Sequence, residues 1–500
     1  MTVTAADQLA PAQEHNRLRP GAISFPEALA QSVGVMAPAM SAAFITYLAA
    51  IKSGGATPLA FGLATVSCLL IGGVVSTFAL RLPSAGSLYT YTVDGLGSFC
   101  GFVVGWTYSL GLMIAGPAVL AGFSVFTGLV MRDIGAPNLA GQWWAWFAVG
   151  LVLYFCLSWF GVEFSTRAQL VVTAVTLATL LWLAVVIIGR GGAHGNTVDA
   201  FRPAAAGVSW PLVFGGMAFG ILSFAGFETA AVLAEETREP RRAIPRAVIG
   251  SVVLGGLFFV VVTYATSVGY GVREATTAWP KSAAGISVLA DRYASYLGNW
   301  VILAGGCSAL FCGLGLHTAA TRTLYAMGRD GVLPGALGRT HPRHRTPHVA
   351  IVVNLALMVA VAAVVIGATP QHARDAVGAA PGQLSSGFDL FAEGLTIIAP
   401  LVMACYAALS AAGLRAALRT GPATLRRDVL VSTGALLASG AAVFGSLYYS
   451  FTEVAPGAGI PGPYRAVPVV ALTVAATGAS VAVRLRRRRE QWRSVGAVFD

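Results

Sequence analysis

The chain has 500 residues, of which 56% are hydrophobic and only 11% are charged, and its mean hydropathy is +0.73. A soluble protein of this length is normally about a quarter charged and divides into several domains. Here apolar runs recur at the roughly 20-residue length that a helix needs to cross a bilayer. The composition therefore excludes an ordinary soluble enzyme or binding domain and predicts a polytopic membrane protein.

The apolar runs predict an all-α membrane protein with twelve transmembrane helices. Their approximate ranges in chain order are 27–50, 57–80, 99–131, 143–162, 168–189, 211–234, 247–271, 296–321, 348–368, 388–414, 429–451 and 464–483. The third run exceeds what a bilayer requires, which predicts a helix that is tilted or extends beyond it. Residues 1–21 are polar, so we expect no cleavable signal peptide and assign 1–26 as an N-terminal segment.

The net charge of +11 comes almost entirely from arginine, and its distribution predicts the orientation. If both termini are cytoplasmic, the inside segments contain 23 of the 32 Lys and Arg residues and the outside segments contain nine. Cytoplasmic loops retain Lys and Arg, so this asymmetry favours cytoplasmic termini. The basic tail, residues 484–500, is expected to anchor on the anionic lipid of the bilayer. We expect no nucleic-acid partner.

The first apolar run contains a short interruption, which consists of Gly34, Val35, Met36, Ala37 and Pro38. Glycine disfavours a helix by its entropy and proline by its missing N–H group. Unwinding here would free backbone amides and present the N-terminus of the following half-helix, which suits a carboxylate. The neighbouring polar side chains of Gln31, Ser32 and Ser41 are candidates for further hydrogen bonds.

The sixth run contains a second interruption, formed by Phe224, Ala225, Gly226, Phe227, Glu228 and Thr229. Unwinding at Ala225 and Gly226 would expose carbonyl oxygens, which suit an ammonium group. Two broken helices five segments apart are typical of secondary transporters, whose binding site lies near the bilayer midplane. Together they predict a zwitterion receptor. Alternatively, the Gly and Pro residues of the two interruptions only permit a kink or close helix packing. Phe224 and Phe227 either line the binding pocket or pack against neighbouring helices.

Glu228 is the ionisable acid deep within an apolar run, where an unpaired charge costs at least a few kcal/mol. Two functional interpretations are a proton-titrating coupling group and a contact to a substrate amine. The structural alternative is a protonated carboxyl bonded to an unwound carbonyl. Glu393, near the start of the tenth run, is a weaker candidate because that position suits an external vestibule.

We expect no metal site, no cofactor and no catalytic centre. The six cysteines lie within or at the edges of apolar runs, as small core residues do. Catalysis requires a constellation of acids, bases or ligands, and the spans contain one deep glutamate. Coupling to H⁺ or Na⁺ stays open.

Four motifs in order resemble the amino acid–polyamine–organocation superfamily of transporters. They are the first interruption, the Pro-x-x-Gly-x-Tyr-x-Tyr-like segment 82–91 with Gly95 and Gly97, segment 223–246 with its Glu-Glu-x-x-x-Pro-x-Arg-x-Ile-Pro loop, and segment 322–347. The resemblance implies a transporter core, 27–414, built from inverted repeats at about 27–189 and 211–414. Two further helices then lie in 415–483. It also implies α-carboxylate binding at the first interruption and α-amine binding at the second.

The chain departs from the pattern of this superfamily in the fifth span, where several proton-coupled members carry a lysine. Thr176 falls near that position here, and both lysines of the chain, Lys52 and Lys281, lie in predicted external loops. Thr176 is compatible with a sodium site or an exchanger.

The sequence thus predicts a secondary active transporter of the bacterial inner membrane that works by alternating access. The scarcity of buried carboxylates favours a neutral amino acid. The alternative is a cationic amino acid, polyamine or amine permease or exchanger, and a non-transporting sensor is a further rival. The oligomeric state is left open.

Overall fold

The computed structural model describes residues 18–160, 162–279, 285–368, 386–419, 422–449 and 462–486. The basic tail beyond 486 and most of the N-terminal segment lie outside these residues. The described part is helical, apart from its loops and one isolated bridge between Ile23 and Thr237. The predicted all-α class is confirmed.

The α-helices of seven or more residues are labelled α1 to α16 in chain order. They are α1 (Phe25–Val35), α2 (Thr46–Ser53), α3 (Thr57–Arg81), α4 (Leu88–Leu96), α5 (Ser98–Asp133), α6 (Trp143–Trp159), α7 (Val162–Gly189), α8 (Trp210–Phe224), α9 (Pro240–Tyr270), α10 (Val272–Ala278), α11 (Gly285–Tyr293), α12 (Gly298–Arg329), α13 (His348–Ala368), α14 (Ser386–Arg419), α15 (Pro422–Tyr449) and α16 (Gly462–Arg486).

Each of the twelve predicted runs coincides with helical chain. In the described part, eight helical stretches are long and apolar enough to cross a membrane, and three shorter apolar helices accompany them. The first of the eight, Phe25–Arg81, contains two predicted runs separated by the 3₁₀ turn Gly54–Ala56. The chain is therefore a multi-pass membrane protein, and the number of spans stays a prediction.

The first run starts as an ordinary helix and stops where the sequence interrupts it. Ser24 and Glu27 form a capping box at the start of α1. The helix ends at Val35, and Ala37 adopts a left-handed conformation with φ 46° and ψ 59°. A π-helical turn, Ser41–Ile45, then leads into α2. The helical hydrogen-bond pattern therefore changes twice within one predicted span.

The sixth run is interrupted in a different way. The α-helix α8 ends at Phe224, and Ala225 takes the extended ψ of 128°. Gly226 follows with φ 107°, a conformation that favours glycine. Beyond it the chain continues as a 3₁₀ helix, Phe227–Glu236, rather than as the α-helix expected from the run.

The segment between the second and third runs lies outside the predicted spans, yet much of it is helical. Residues Leu82 to Ser87 form the turn, and α4 occupies Leu88–Leu96. Its Tyr89 and Tyr91 are fully buried. The aromatic side chains thus fold this short helix back against α5 and α14.

The core of the bundle lies along α5, which packs against α12 and α14 over much of its length. The helix α3 packs in the same manner along α9. These contacts surround the two interrupted segments, whose residues are almost all buried. The interruptions therefore lie inside protein, as unwound backbone at membrane depth must.

Candidate substrate site between two interrupted helices

The two interruptions contact each other. A Cβ atom placed on Gly226 would overlap Val35 Cγ1, so glycine permits this approach. One turn earlier, the Ser32 hydroxyl donates to the Phe227 carbonyl at 2.6 Å and accepts from the Ala230 amide at 3.0 Å. The end of α1 is thereby fixed to the 3₁₀ helix that follows the second interruption.

A cavity of about 50 Å³ adjoins both interruptions. Its lining contains apolar side chains, one hydroxyl and one thiol, and no charged residue. The lining residues are Val35, Met36, Met40, Ser41, Ile45, Ala115, Val119, Leu222, Ala225, Cys312, Leu316, Leu395, Ile398 and Val402. A mainly apolar lining with a few polar groups is typical of small-molecule sites, and a volume of about 50 Å³ is small beside the roughly 300–1,000 Å³ of a complete ligand pocket.

The predicted site residues divide into two groups around this cavity. Val35, Met36 and Ala225 line it. The other predicted residues, Gly34, Ala37, Phe224, Gly226, Phe227 and Glu228, are buried beside it. The two phenylalanine rings pack on aromatic neighbours: Phe224 on Phe259 with centroids 5.3 Å apart, and Phe227 on Tyr406 at 5.5 Å.

The three polar residues that flank the first interruption bond to protein backbone. Beyond the Ser32 contacts, Gln31 Nε2 donates to the Gly315 carbonyl at 3.0 Å, and the Ser41 hydroxyl donates to the Met36 carbonyl at 3.0 Å. Cys312 Sγ lies 3.0 Å from the Val35 carbonyl. These contacts hold the interrupted segment against α12.

The fifth-span residue that reaches the interruption is Gln169. Its side chain fills the space that a Cβ on Gly34 would need, and its Nε2 donates to the Phe311 carbonyl at 3.0 Å. Thr176 instead donates to the Thr173 carbonyl of its own helix at 3.0 Å. Contact with the first interruption is therefore made by Gln169, and a role of Thr176 in ion coupling stays a prediction.

Glu228 is 1% exposed and lies directly after the second interruption. Its carboxyl accepts from the Tyr108 hydroxyl at 2.9 Å, from the Tyr406 hydroxyl at 2.6 Å and from the Gly226 amide at 3.1 Å. The glutamate thus joins the interruption to α5 and α14. The sequence does not single out either tyrosine, because a tyrosine within an apolar run has the same pattern as a packing residue. The side chain of Glu393 lies outside the described residues.

Ion pairs lie where the 3₁₀ helix ends. We call this the arginine-rich end of the bundle, and its arginines include Arg81, Arg322, Arg329 and Arg427. Arg322 pairs with Glu236 at 2.8 Å, and both side chains are at most 4% exposed. The half-buried Arg329 pairs with Glu235 at 2.9 Å. Ile23, ahead of α1, also bonds to this segment through its amide and carbonyl. The start of the first span and the end of the sixth are therefore held together.

Among the residues that the structure describes, no group of three or more His, Cys, Asp or Glu side chains is placed to hold a metal ion.

Comparison with known proteins connects this geometry to a family. The family model described as "Amino acid permease" matches residues 28–421, which include both interruptions and Glu228. The chain belongs to the amino acid permease family. The resemblance drawn from the four motifs is confirmed, and so is the prediction of a transmembrane transport protein.

Two curated relatives illustrate the range of the family. The branched-chain amino acid permease BcaP of Bacillus subtilis is 27% identical over 61% of this permease and 67% of its own length. The low-affinity putrescine importer PlaP of Escherichia coli is 28% identical over 63% of this permease and 70% of its own length. Both are transporters of small molecules, with chemically different cargo.

Among solved structures, a mutant of a manganese transporter from Eremococcus coleocola superposes with a TM-score of 0.50 at 12% identity. The match covers 94% of the permease and 95% of that chain. At this identity the likeness concerns the fold alone, which is that of a membrane transporter.

Proposed function

We propose that this permease is a secondary active transporter of a neutral amino acid in the bacterial inner membrane. In this proposal it has twelve spans with cytoplasmic termini, and spans one to ten form two inverted repeats of five. The observation that carries the proposal is the meeting of the two interruptions at one cavity without charged lining residues. Alternating access would follow from rocking of one helix bundle against the rest.

The backbone around the interruptions suits the two charged ends of an amino acid. The N-terminal end of the half-helix that begins at Pro38 would bind the α-carboxylate, because the Met36 and Ala37 amides already donate to the Ser32 and Gly34 carbonyls. The carbonyls of Phe224 and Ala225, which end α8, would bind the α-amine. The substrate side chain would then occupy the apolar cavity between Met36 and Ile398.

The lining favours a neutral side chain. A distal ammonium in this cavity would lose its hydration without gaining a carboxylate, and an unpaired buried charge is costly. The name of the Bacillus relative agrees with this choice. The runner-up is a cationic amino acid or polyamine, which the name of the Escherichia relative favours and for which Glu228 would be the counter-ion.

Glu228 would act as the coupling group. As a carboxylate it accepts all three observed hydrogen bonds, from two tyrosines and one amide. Protonation adds a donor where three donors already converge, so at least one of these contacts must rearrange. Proton binding would thereby loosen the second interruption from α5 or α14. Sodium remains the alternative coupling ion, and no cofactor is proposed.

Glu228→Gln is expected to reduce uptake of the preferred substrate about tenfold or more, because the amide NH₂ would face a tyrosine or backbone donor at a buried site. The measurement is uptake into proteoliposomes of a panel of radiolabelled amino acids and amines. Each is tested with and without proton and sodium gradients.

Tyr108→Phe is the matched control, since it removes one hydrogen bond and leaves the carboxyl in place. It should reduce uptake less and preserve the dependence on the proton gradient. Uptake of amines alone would overturn the neutral substrate. Uptake indifferent to both gradients but accelerated by internal substrate would replace coupled transport with exchange. If the wild type takes up none of the amino acids and amines in the panel, a non-transporting sensor would be favoured over a transporter.

A further inference from the structure

A second cavity, of about 60 Å³, lies between α3, α14 and α15 at the arginine-rich end of the bundle. It shares no lining residue with the substrate cavity. Glycines bring its three walls close together: a Cβ on Gly413 would lie 2.6 Å from Val74 Cγ1, and one on Gly73 would lie 2.9 Å from Val431 Cγ1. Both distances are shorter than real Cβ contacts, so the sequence maintains this close packing beside the cavity.

Three charged side chains line this cavity: Arg81 at the end of α3, and Arg427 and Asp428 in α15. Both arginines are exposed. Among the described residues, none of the three makes a hydrogen bond or an ion pair. Two arginine residues therefore border one small cavity, and within the described part of the chain no carboxylate lies within ion-pair distance of either. Their forked donors match the oxygens of a phosphate.

The surface beside the cavity is apolar and faces outward. Leu80 of α3 is 53% exposed, and Leu430 and Leu437 of α15 are 72% and 70% exposed. The two α15 leucines are seven residues apart, so they lie on one face of that helix. This face is expected to contact acyl chains, which places the arginines at the height of the headgroups.

We propose that this cavity binds the phosphate of an anionic phospholipid from the adjacent leaflet, which is cytoplasmic in the proposed orientation. Two arginines and one aspartate give the lining a net charge of +1, which balances the single negative charge of a phosphatidylglycerol headgroup. Asp428 accepts a hydrogen bond from a glycerol hydroxyl of that headgroup, and it disfavours free inorganic phosphate, which carries more negative charge. Basic pockets between transmembrane helices at the cytoplasmic side are suited to such headgroups.

The test titrates the purified, detergent-solubilised full-length protein with phosphatidylglycerol and counts bound lipid by native mass spectrometry. Arg81→Gln/Arg427→Gln is expected to weaken binding about tenfold or more, since each arginine near the headgroup contributes appreciably. The matched control is Arg415→Gln/Arg426→Gln. It removes two exposed arginines at the same end of the bundle that do not line the cavity, and binding should stay within about twofold of wild type.

Two further binding measurements distinguish an anionic lipid headgroup from a zwitterionic lipid and from free phosphate. Phosphatidylcholine should bind at least about tenfold more weakly than phosphatidylglycerol, and millimolar inorganic phosphate should not displace the bound lipid. Each single variant should show an intermediate loss, which keeps the test valid if the double variant is unstable. Equal loss in the control pair, equal binding of phosphatidylcholine, or displacement by inorganic phosphate would each overturn the proposal.

Discussion

Gly226→Ala is expected to abolish substrate uptake while the protein still reaches the membrane. The φ of 107° at Gly226 strains any residue with a side chain, by roughly 1–2 kcal/mol. The added Cβ would also overlap Val35 Cγ1 and lie 3.2 Å from the Val35 backbone carbon. The two interruptions would have to move apart, and the wall that they form for the substrate cavity would open.

Uptake into proteoliposomes, normalised to the reconstituted protein, measures this effect. Gly97→Ala is the control for strain alone, because Gly97 has φ 96° and an added Cβ there would meet no atom within 4 Å. It should retain most of the activity. Val35→Ala in the Gly226→Ala background removes the overlapping methyl group and should restore part of the uptake. Near-normal uptake by Gly226→Ala would refute the need for contact between the interruptions.

Glu236→Gln is expected to have the largest effect on stability, of about 3–5 kcal/mol. It would leave the guanidinium of Arg322 unpaired at a position where both partners are at most 4% exposed. The loss would loosen the contact between the chain ahead of α1 and the end of the 3₁₀ helix, because the Ile23 amide donates to the carbonyl of this same glutamate at 2.9 Å.

Thermal melting of the purified variants, followed by tryptophan fluorescence, measures this loss. Glu235→Gln is the matched control, since its pair with Arg329 is more exposed, with side chains 22% and 24% accessible. Exposed pairs contribute less, so its melting temperature should fall less. Replacing both Arg322 and Glu236 by methionine should recover most of the stability, because no charge remains buried. A Glu236→Gln melting curve identical to wild type would contradict a structural role for the pair.

The sequence was a good guide to the place of the first interruption. Pro38 lacks an N–H group and disfavours α conformation in the residue before it, and the left-handed residue is indeed Ala37. Gly34, which seemed equally disruptive, remains within α1. Its missing side chain serves packing instead, because Gln169 occupies the space.

Contacts between distant helices were not predictable in the same way. Tyr108 and Tyr406 are 120 and 178 residues from Glu228, and hydropathy alone does not fix which faces of α5 and α14 meet it. The fifth span shows the same limit on a smaller scale. Gln169 and Thr176 lie seven residues apart on nearly one face of α7, about 10 Å apart along its axis. Which of the two contacts the first interruption depends on how α7 is placed against α1 and α12, and the sequence does not give that placement.

The π-helical turn Ser41–Ile45 has a consequence for how the length of this segment can vary. A π turn accommodates one more residue than an α turn while the helix on either side keeps its direction. Deletion of a single residue within 41–45 is therefore expected to leave Met36 facing the cavity. A deletion within α2 would instead rotate the preceding chain by about 100°. Insertions and deletions among related permeases should accordingly be tolerated at this turn and selected against one turn later.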